Sequence, residues 1–218
     1  MVLFALWAQY LPQFLQGVEV TLELTAISLI VALVAGFLLA LGRMSRIRPL
    51  STVSTVFIEV VRSIPVLVIL FLVYYSLGQI GIKLTGMAAA IVGLGAFYAT
   101  LYAEVFRAGI LGVDNGQREA AIALGLSHRD VLRKIILPEA FFSILPNATN
   151  QLSNLIKDTS LVFTIGVADL MFQAQSASAV TFEPMDMFLL AGVIYFLFYL
   201  ILSKVLARWE LNVQRSRS

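Results

Sequence analysis

The sequence contains no cysteine and one histidine, His128. Disulfides and thiolate metal sites are therefore excluded, and a metal or catalytic cluster built on histidine has no second member. The lone His128 sits in a helix-cap region and reads as a solvated side chain. Charge is also scarce. Only 13% of the 218 residues are Asp, Glu, Lys or Arg, against about a quarter in soluble domains. A net charge of +2 provides no electrostatic footprint for nucleic acid. No phosphate-cradling Gly-Lys-Ser/Thr loop occurs, so the chain cannot draw on ATP by itself. No repeat, low-complexity tract or linker divides it, and the length suits one domain over residues 1–218.

What is abundant is apolar surface: 60% of residues are hydrophobic and the mean hydropathy is +0.91. A soluble fold of this size would leave much of that surface wet, so the excess calls for lipid. A bilayer core takes about 20 mostly apolar residues as a helix. Runs nearly free of charge occur at 24–42, 63–82, 84–103, 140–156 and 187–203. The expected fold class is all-α, a polytopic membrane protein with five transmembrane helices. Residues 1–17 lack the basic start of a secretory signal. With Trp7, Tyr10 and Phe14 they read as an aromatic edge at the membrane interface.

Basic residues set the orientation. Twelve of the fifteen lie on one side. These are Arg43, Arg46 and Arg48 after the first run; Arg107, Arg118, Arg129, Arg133 and Lys134 after the third; and Lys204, Arg208, Arg215 and Arg217 in the tail. The opposite side carries Glu19, Glu23, Lys83, Asp169, Glu183 and Asp186. The N-terminus is expected outside and the C-terminus in the cytoplasm.

The long cytoplasmic segment contains a helix with a readable start and stop at 114–126. Asp114 or Asn115 can cap it, Gln117 stands where a capping-box partner would, and Gly125 can close it in the left-handed conformation. Ser127 then caps a second helix that runs through Ile136 and meets Pro138. Ala120, Ala121, Ala123 and Leu124 make a smooth face flanked by Arg118 and Glu119. Such a face suits seating in a groove on another protein. On helix pattern alone an ordinary amphipathic connector is the favoured reading.

The fourth run is unusually polar. Asn147, Asn150, Gln151, Asn154 and Asp158 recur at spacings of three and four and share a helical face. Polar groups inside a membrane face the protein interior or a wet cavity. An amino acid would need a cation for its carboxylate and an acceptor for its ammonium, and Lys157, Asp158, Thr159 and Ser160 offer both within one turn. With its helix beginning near Thr52, Arg62 is expected at a similar depth, kinked beside Pro65 and neutralised by Glu59. Interhelical hydrogen bonds and ion pairs are the structural alternative for all of these. Glu104 and Arg107 read as a structural pair.

The spelling of these segments carries a resemblance. Glu119-Ala120-Ala121, Gly125 and Ile136-Leu137-Pro138 resemble the EAA loop of ABC-importer permeases. Tyr98, Ala103-Glu104, Arg107, Gly109-Ile110, Gly116-Gln117, Arg62-Ser63-Ile64-Pro65 and Lys157-Asp158-Thr159-Ser160-Leu161 are similar to the polar amino-acid branch of that family. The resemblance runs from about Thr21 to Leu202. Asp114 replaces the usual Pro, and Ser63-Ile64 replaces the commoner Gly-Thr. The resemblance implies a permease subunit of the bacterial cytoplasmic (inner) membrane that pairs with a second, identical or related chain. Two cytoplasmic ABC ATPase subunits would bind below, holding the ATP and Mg that this chain lacks, and an external or periplasmic binding protein would deliver an amino acid. Arg118, Glu119, Ala120, Ala121, Leu124 and Gly125 would form the ATPase contact. The substrate pathway would involve Arg62, Asn150, Gln151, Asn154, Lys157, Asp158, Thr159 and Ser160. The spelling around Pro65 and Asp158 leans to glutamate or aspartate. The chain would not itself be an enzyme, and it has no cofactor, metal or catalytic residue of its own. A gradient-driven carrier or channel is the alternative, weakened by the lack of an internal repeat.

Overall fold

The computed structural model describes residues 2–215, apart from the side chains of residues 2–5, 115, 118 and 209–215. The side chains of Arg118 and Arg215, and all of Arg217, thus lie outside the described residues. Eight helical elements follow one another: α1 (Val2–Arg43), α2 (Arg48–Ser63), α3 (Val66–Gln79), α4 (Gly86–Leu111), α5 (Asn115–Ala123), α6 (residues 128–158), α7 (Leu170–Thr181) and α8 (Pro184–Arg215).

α1 is one helix of 42 residues and runs straight through Pro12 and Gly17. The aromatics expected as an edge at 1–17 have partners within the chain. Phe14 is fully buried in a cluster with Leu170, Ala174 and Met187, and the Trp7 ring nitrogen donates to the Asp186 carbonyl at 3.2 Å. These aromatics pack on the chain's own α7 and α8.

The tightest helix pair is α1 with α4. Ser28, Ala32, Gly36 and Ala40 recur every four residues on α1 and are buried; Gly95, Ala99 and Ala103 do the same on α4. Small residues let backbones approach closely, which is how helices associate where no water is present to drive them together. A Cβ on Gly36 would lie 2.8 Å from the Ala99 carbonyl oxygen, and one on Gly95 2.7 Å from Val31. Above and below this seam Leu24, Leu70, Leu94, Tyr98, Tyr102 and Leu155 complete the main core.

α2 and α3 are separated by a sharp corner. Proline disfavours helical backbone in the residue before it, and Ile64 is extended (φ −96°, ψ 133°) ahead of Pro65. The two helix axes turn by 106° there. Pro65 thus breaks the helix rather than kinking it. Beyond the corner α3 carries a π turn at Leu72–Ser76 and packs along α4, where Leu70 faces Gly93.

α6 departs from expectation in the other direction. Ser127 caps it as anticipated, accepting from the Asp130 amide at 3.2 Å, but Pro138 does not end it. A π turn at Leu132–Ile136 precedes the proline. A widened turn displaces the carbonyl that the proline ring would strike, so the helix continues to Asp158. A 3-10 segment (Thr159–Ile165) then closes at Gly166, whose φ of +79° suits glycine. Asp169 follows, fully buried. Its carboxylate caps α7 by accepting from the Phe172 amide at 2.9 Å and from the Tyr195 hydroxyl at 3.4 Å. Burial pushes this carboxyl up to about 6, against the pull of those bonds.

Among the described residues α1, α4 and α8 are each long and apolar enough to cross a membrane, and the bent α2–α3 pair makes a fourth if counted as one span. α6 covers the expected run 140–156, but the same Asn/Gln face that marks it lowers its apolar character.

Candidate functional site

α5 stands at the turn between α4 and α6, and its ends are built from local chemistry. Asp114 caps it, its carboxylate accepting from the Gly116 amide at 2.9 Å. At the other end Gly125 adopts φ +82°, its amide donates to the Ile122 carbonyl at 2.9 Å, and the Leu126 amide reaches back to the Ala121 carbonyl at 3.1 Å. This pair of bonds is the Schellman closure. Apart from its chain neighbours, no described atom lies within 4 Å of where a Cβ on Gly125 would sit, so backbone conformation selects glycine.

The expected smooth face divides in two. Ala121 is only 3% exposed and turns toward its own chain, where α5 packs on the start of α6. Gly116, Glu119, Ala120, Ala123 and Leu124 face outward, and Leu124 is 83% exposed. Ala121 thus supports α5 from behind, and a partner would meet Ala120 and Leu124. Beside them Ile122, His128, Val131, Leu132 and Ile136 line a hollow of about 280 Å³. The Asp130 carboxyl below it is held under its ordinary range by the Ser127 hydroxyl and by Lys134, 2.9 Å away.

The second cluster lies where α6 meets α4. Asn154, Lys157 and Asp158 line an open cavity of about 320 Å³ together with Phe97, Tyr98 and Leu101. Lys157 and Asp158 point to different neighbours. The Tyr98 hydroxyl donates to Asp158 Oδ2 at 2.7 Å, while Lys157 Nζ stands 5.8 Å from the centre of the Tyr199 ring. The cavity therefore has a carboxylate held by Tyr98 next to a lysine whose ammonium lies near Tyr199, and the two charges are not paired with each other. Asn150 is exposed and Gln151 half-buried on the same helix. Thr159 is fully buried with its hydroxyl donating to the Ile156 carbonyl at 2.7 Å, and Ser160 is half-buried beside it. Tyr98 was not singled out as a site residue in the sequence, although a tyrosine within a span needs a partner for its hydroxyl.

Arg62 belongs elsewhere. Because Pro65 ends its helix, it does not continue inward toward Asp158. It pairs with Glu59 at 3.0 Å, Glu59 with Arg43 at 3.2 Å, Arg43 with Glu104 at 2.6 Å and Glu104 with Arg107 at 2.9 Å. This chain of five charges ties α2 to the ends of α1 and α4, and the expected Glu104–Arg107 pair is part of it. Replacing Glu104 with Gln strips the central anion from between two arginines. The expected cost is about 2 kcal/mol, on the scale of hydrogen bonds to charged groups, read as a lower unfolding temperature in detergent. An unchanged temperature would show the network to be idle.

The chain resembles known proteins over nearly its whole length. The family described as the binding-protein-dependent transport system inner membrane component matches residues 32–213. The arginine transport system permease protein ArtQ of Bacillus subtilis (strain 168) is 35% identical over 194 residues, covering 88% of this chain and 89% of that protein. The probable glutamine ABC transporter permease protein GlnP of the same organism is 35% identical over 209 residues, 94% of this chain and 95% of its own. A crystal structure of an amino acid ABC transporter with histidines matches at a TM-score of 0.90 and 36% identity, covering 94% of this chain and 96% of that one. The methionine ABC transporter MetNI shares the fold at a TM-score of 0.75 and 23% identity, covering 93% of this chain and 97% of that one.

Proposed function

The chain belongs to the binding-protein-dependent transport system inner membrane component family, and from that premise we propose that it is the membrane subunit of an ATP-driven importer of polar amino acids. Subunits of this family are permeases and not enzymes; ATP is hydrolysed by a separate subunit. The observation that carries the reading is α5: a helix capped at both ends, held from behind by Ala121, that presents Ala120 and the largely exposed Leu124 with no partner among the described residues. A helix of that form is useful only if something seats on it. Two ABC ATPase subunits would do so, with ATP and Mg held on their side, while a second permease chain and an external binding protein complete the importer.

The cavity around Asp158 supports an amino-acid substrate, since its separated ammonium and carboxylate complement a zwitterion. The relatives above are named for arginine and glutamine, and a further one, TcyB of Bacillus subtilis (strain 168), for L-cystine. The lean toward glutamate or aspartate rests on the spelling of the motifs alone, so the proposal is a polar amino acid without a chosen side chain.

The proposed topology has α1, α3, α4, α6 and α8 crossing the bilayer, with the N-terminus outside and α5 in the cytoplasm. It is supported by the basic bias around Arg43, Arg107 and Lys204. A reporter active only outside is expected to score near Lys83 and to fail near Arg118 and after Arg208. Finding the Arg118 loop outside would sink both the topology and the coupling role of α5. The function itself is tested by amino-acid uptake into vesicles carrying the chain with its cognate ATPase. Uptake is expected to require ATP. Uptake driven by an ion gradient in the ATPase's absence would instead establish a secondary carrier.

A further inference from the structure

We propose that α2 is not part of a membrane crossing but lies in the plane of the bilayer surface, where it binds anionic phospholipid.

Three observations converge. The first is direction. α3 packs on α4, where Leu70 meets Gly93, while α2 is turned from α3 by 106° and so does not continue its course. α2 also sits level with the ends of α1 and α4, where Gly42 approaches Ser54 and where Ile58 packs with Ala40 and Ala103.

The second observation is pattern. A surface-lying helix has one apolar face, one polar face and modest overall hydrophobicity. On α2, Val53, Val56, Phe57 and Val60 form an apolar stripe at helical spacing, and all four are exposed. Ser54 and Ile58, on a neighbouring edge, are the residues the chain itself covers. Thr55, Glu59 and Arg62 fall away from the stripe by the same periodicity, while Thr52 borders it. Glu59 and Arg62 on that side belong to the ion network at the ends of α1 and α4.

The third observation is charge, and it names the occupant. Arg46 and Arg48 are exposed at the corner that leads into α2, and no acidic residue occurs between Glu23 and Glu59. A phospholipid surface answers both features, taking the stripe among its acyl chains while its anionic headgroups meet the arginines. The leaflet follows from the orientation proposed above, and is the cytoplasmic one. The lie of the helix does not depend on that reading.

The absence of native cysteine makes the test direct. Single cysteines at positions 50–63 of the full chain, spin-labelled in phosphatidylcholine vesicles containing phosphatidylglycerol, report oxygen and nickel-chelate accessibility. Oxygen accessibility is expected to peak at 53, 57 and 60, at a shallow depth below the phosphates, with chelate accessibility peaking at 55, 59 and 62. Labels at 53, 57 and 60 that sit at the bilayer midplane, or that are shielded from both reagents, would overturn the proposal. The first outcome would mean a crossing helix and the second a protein contact. The headgroup arm compares the motionally restricted fraction of spin-labelled phosphatidylglycerol with that of phosphatidylcholine. The preference for phosphatidylglycerol is expected to fall several-fold in R46Q/R48Q, and an unchanged preference would overturn the role of the arginines. A failed orientation reading would show instead in the outside-active reporters, with the label periodicity unaffected.

Discussion

Ala120→Arg is expected to abolish capture of the ATPase subunit and ATP-dependent uptake while leaving membrane insertion normal. Ala120 lies on the outward face of α5, so the new side chain meets the partner and not the chain's own packing. A groove fitted to a methyl group must either distort or accept an unpaired charge. Together these cost about 2–4 kcal/mol, roughly thirty- to several-hundredfold in affinity. Leu124→Asp acts on the same face by removing an apolar anchor and adding charge. Ala121→Arg is the contrasting variant. Because Ala121 is buried within the chain, it should lower the stability of the permease itself. Gly125→Val separates a third effect. Nothing surrounds its Cβ position, so the penalty is the left-handed backbone alone, about 1–2 kcal/mol, and it misdirects the start of α6. The readouts are ATPase pull-down, uptake in vesicles and unfolding temperature. Full ATPase binding by both Ala120→Arg and Leu124→Asp would reduce α5 to a connector.

The second large effect is expected at the cavity. Asp158→Asn keeps the shape of the side chain and removes its charge, leaving the Tyr98 hydroxyl with a neutral acceptor. Lys157→Met removes the cation near Tyr199. Each takes away half of a charge-complementary pair. Hydrogen bonds to charged groups are worth about 1.5–3 kcal/mol, so transport at low substrate is expected to fall roughly ten- to a hundredfold, with ATPase association intact. Tyr98→Phe discriminates between the readings. If the Tyr98–Asp158 bond is only a tie between α4 and α6, then Tyr98→Phe and Asp158→Asn should lower the unfolding temperature equally and leave the substrate dependence of uptake unchanged. If Asp158 meets substrate, Asp158→Asn should raise the half-saturating concentration far more than Tyr98→Phe does. Normal uptake by both charge variants would remove this cavity from the pathway.

Features set by neighbouring residues were legible in the sequence. The capping of α5 by Asp114 and its closure at Gly125 depend on bonds within a few positions, and both appear in the structure as read. The Glu104–Arg107 pair is another such case, one turn apart on a single helix. Features set by how helices fold back were not. Which side of a nine-residue helix faces home cannot be told from its own periodicity when the outward face is also apolar, and so Ala121 was grouped with Ala120. The partner of Asp158 lies 60 residues away on another helix. A proline announces a disturbance without stating its form: Pro65 produced a corner, Pro12 nothing visible, and Pro138 a π turn. The misplacement of Arg62 follows from reading the first of these as a kink.

The seam of small residues between α1 and α4 has a mechanical consequence. With the Gly36 backbone nearly touching that of Ala99, the two helices have no room to slide past each other. They pack as one close pair, and α5 stands just beyond the last turn of α4. Compliance is left to the places where regular helix gives way: the corner at Ile64–Pro65 and the π turns of α3 and α6. A map of stiffness along this chain is therefore expected to be lowest at the Ile64–Pro65 corner and the widened turns, and highest where its side chains are smallest.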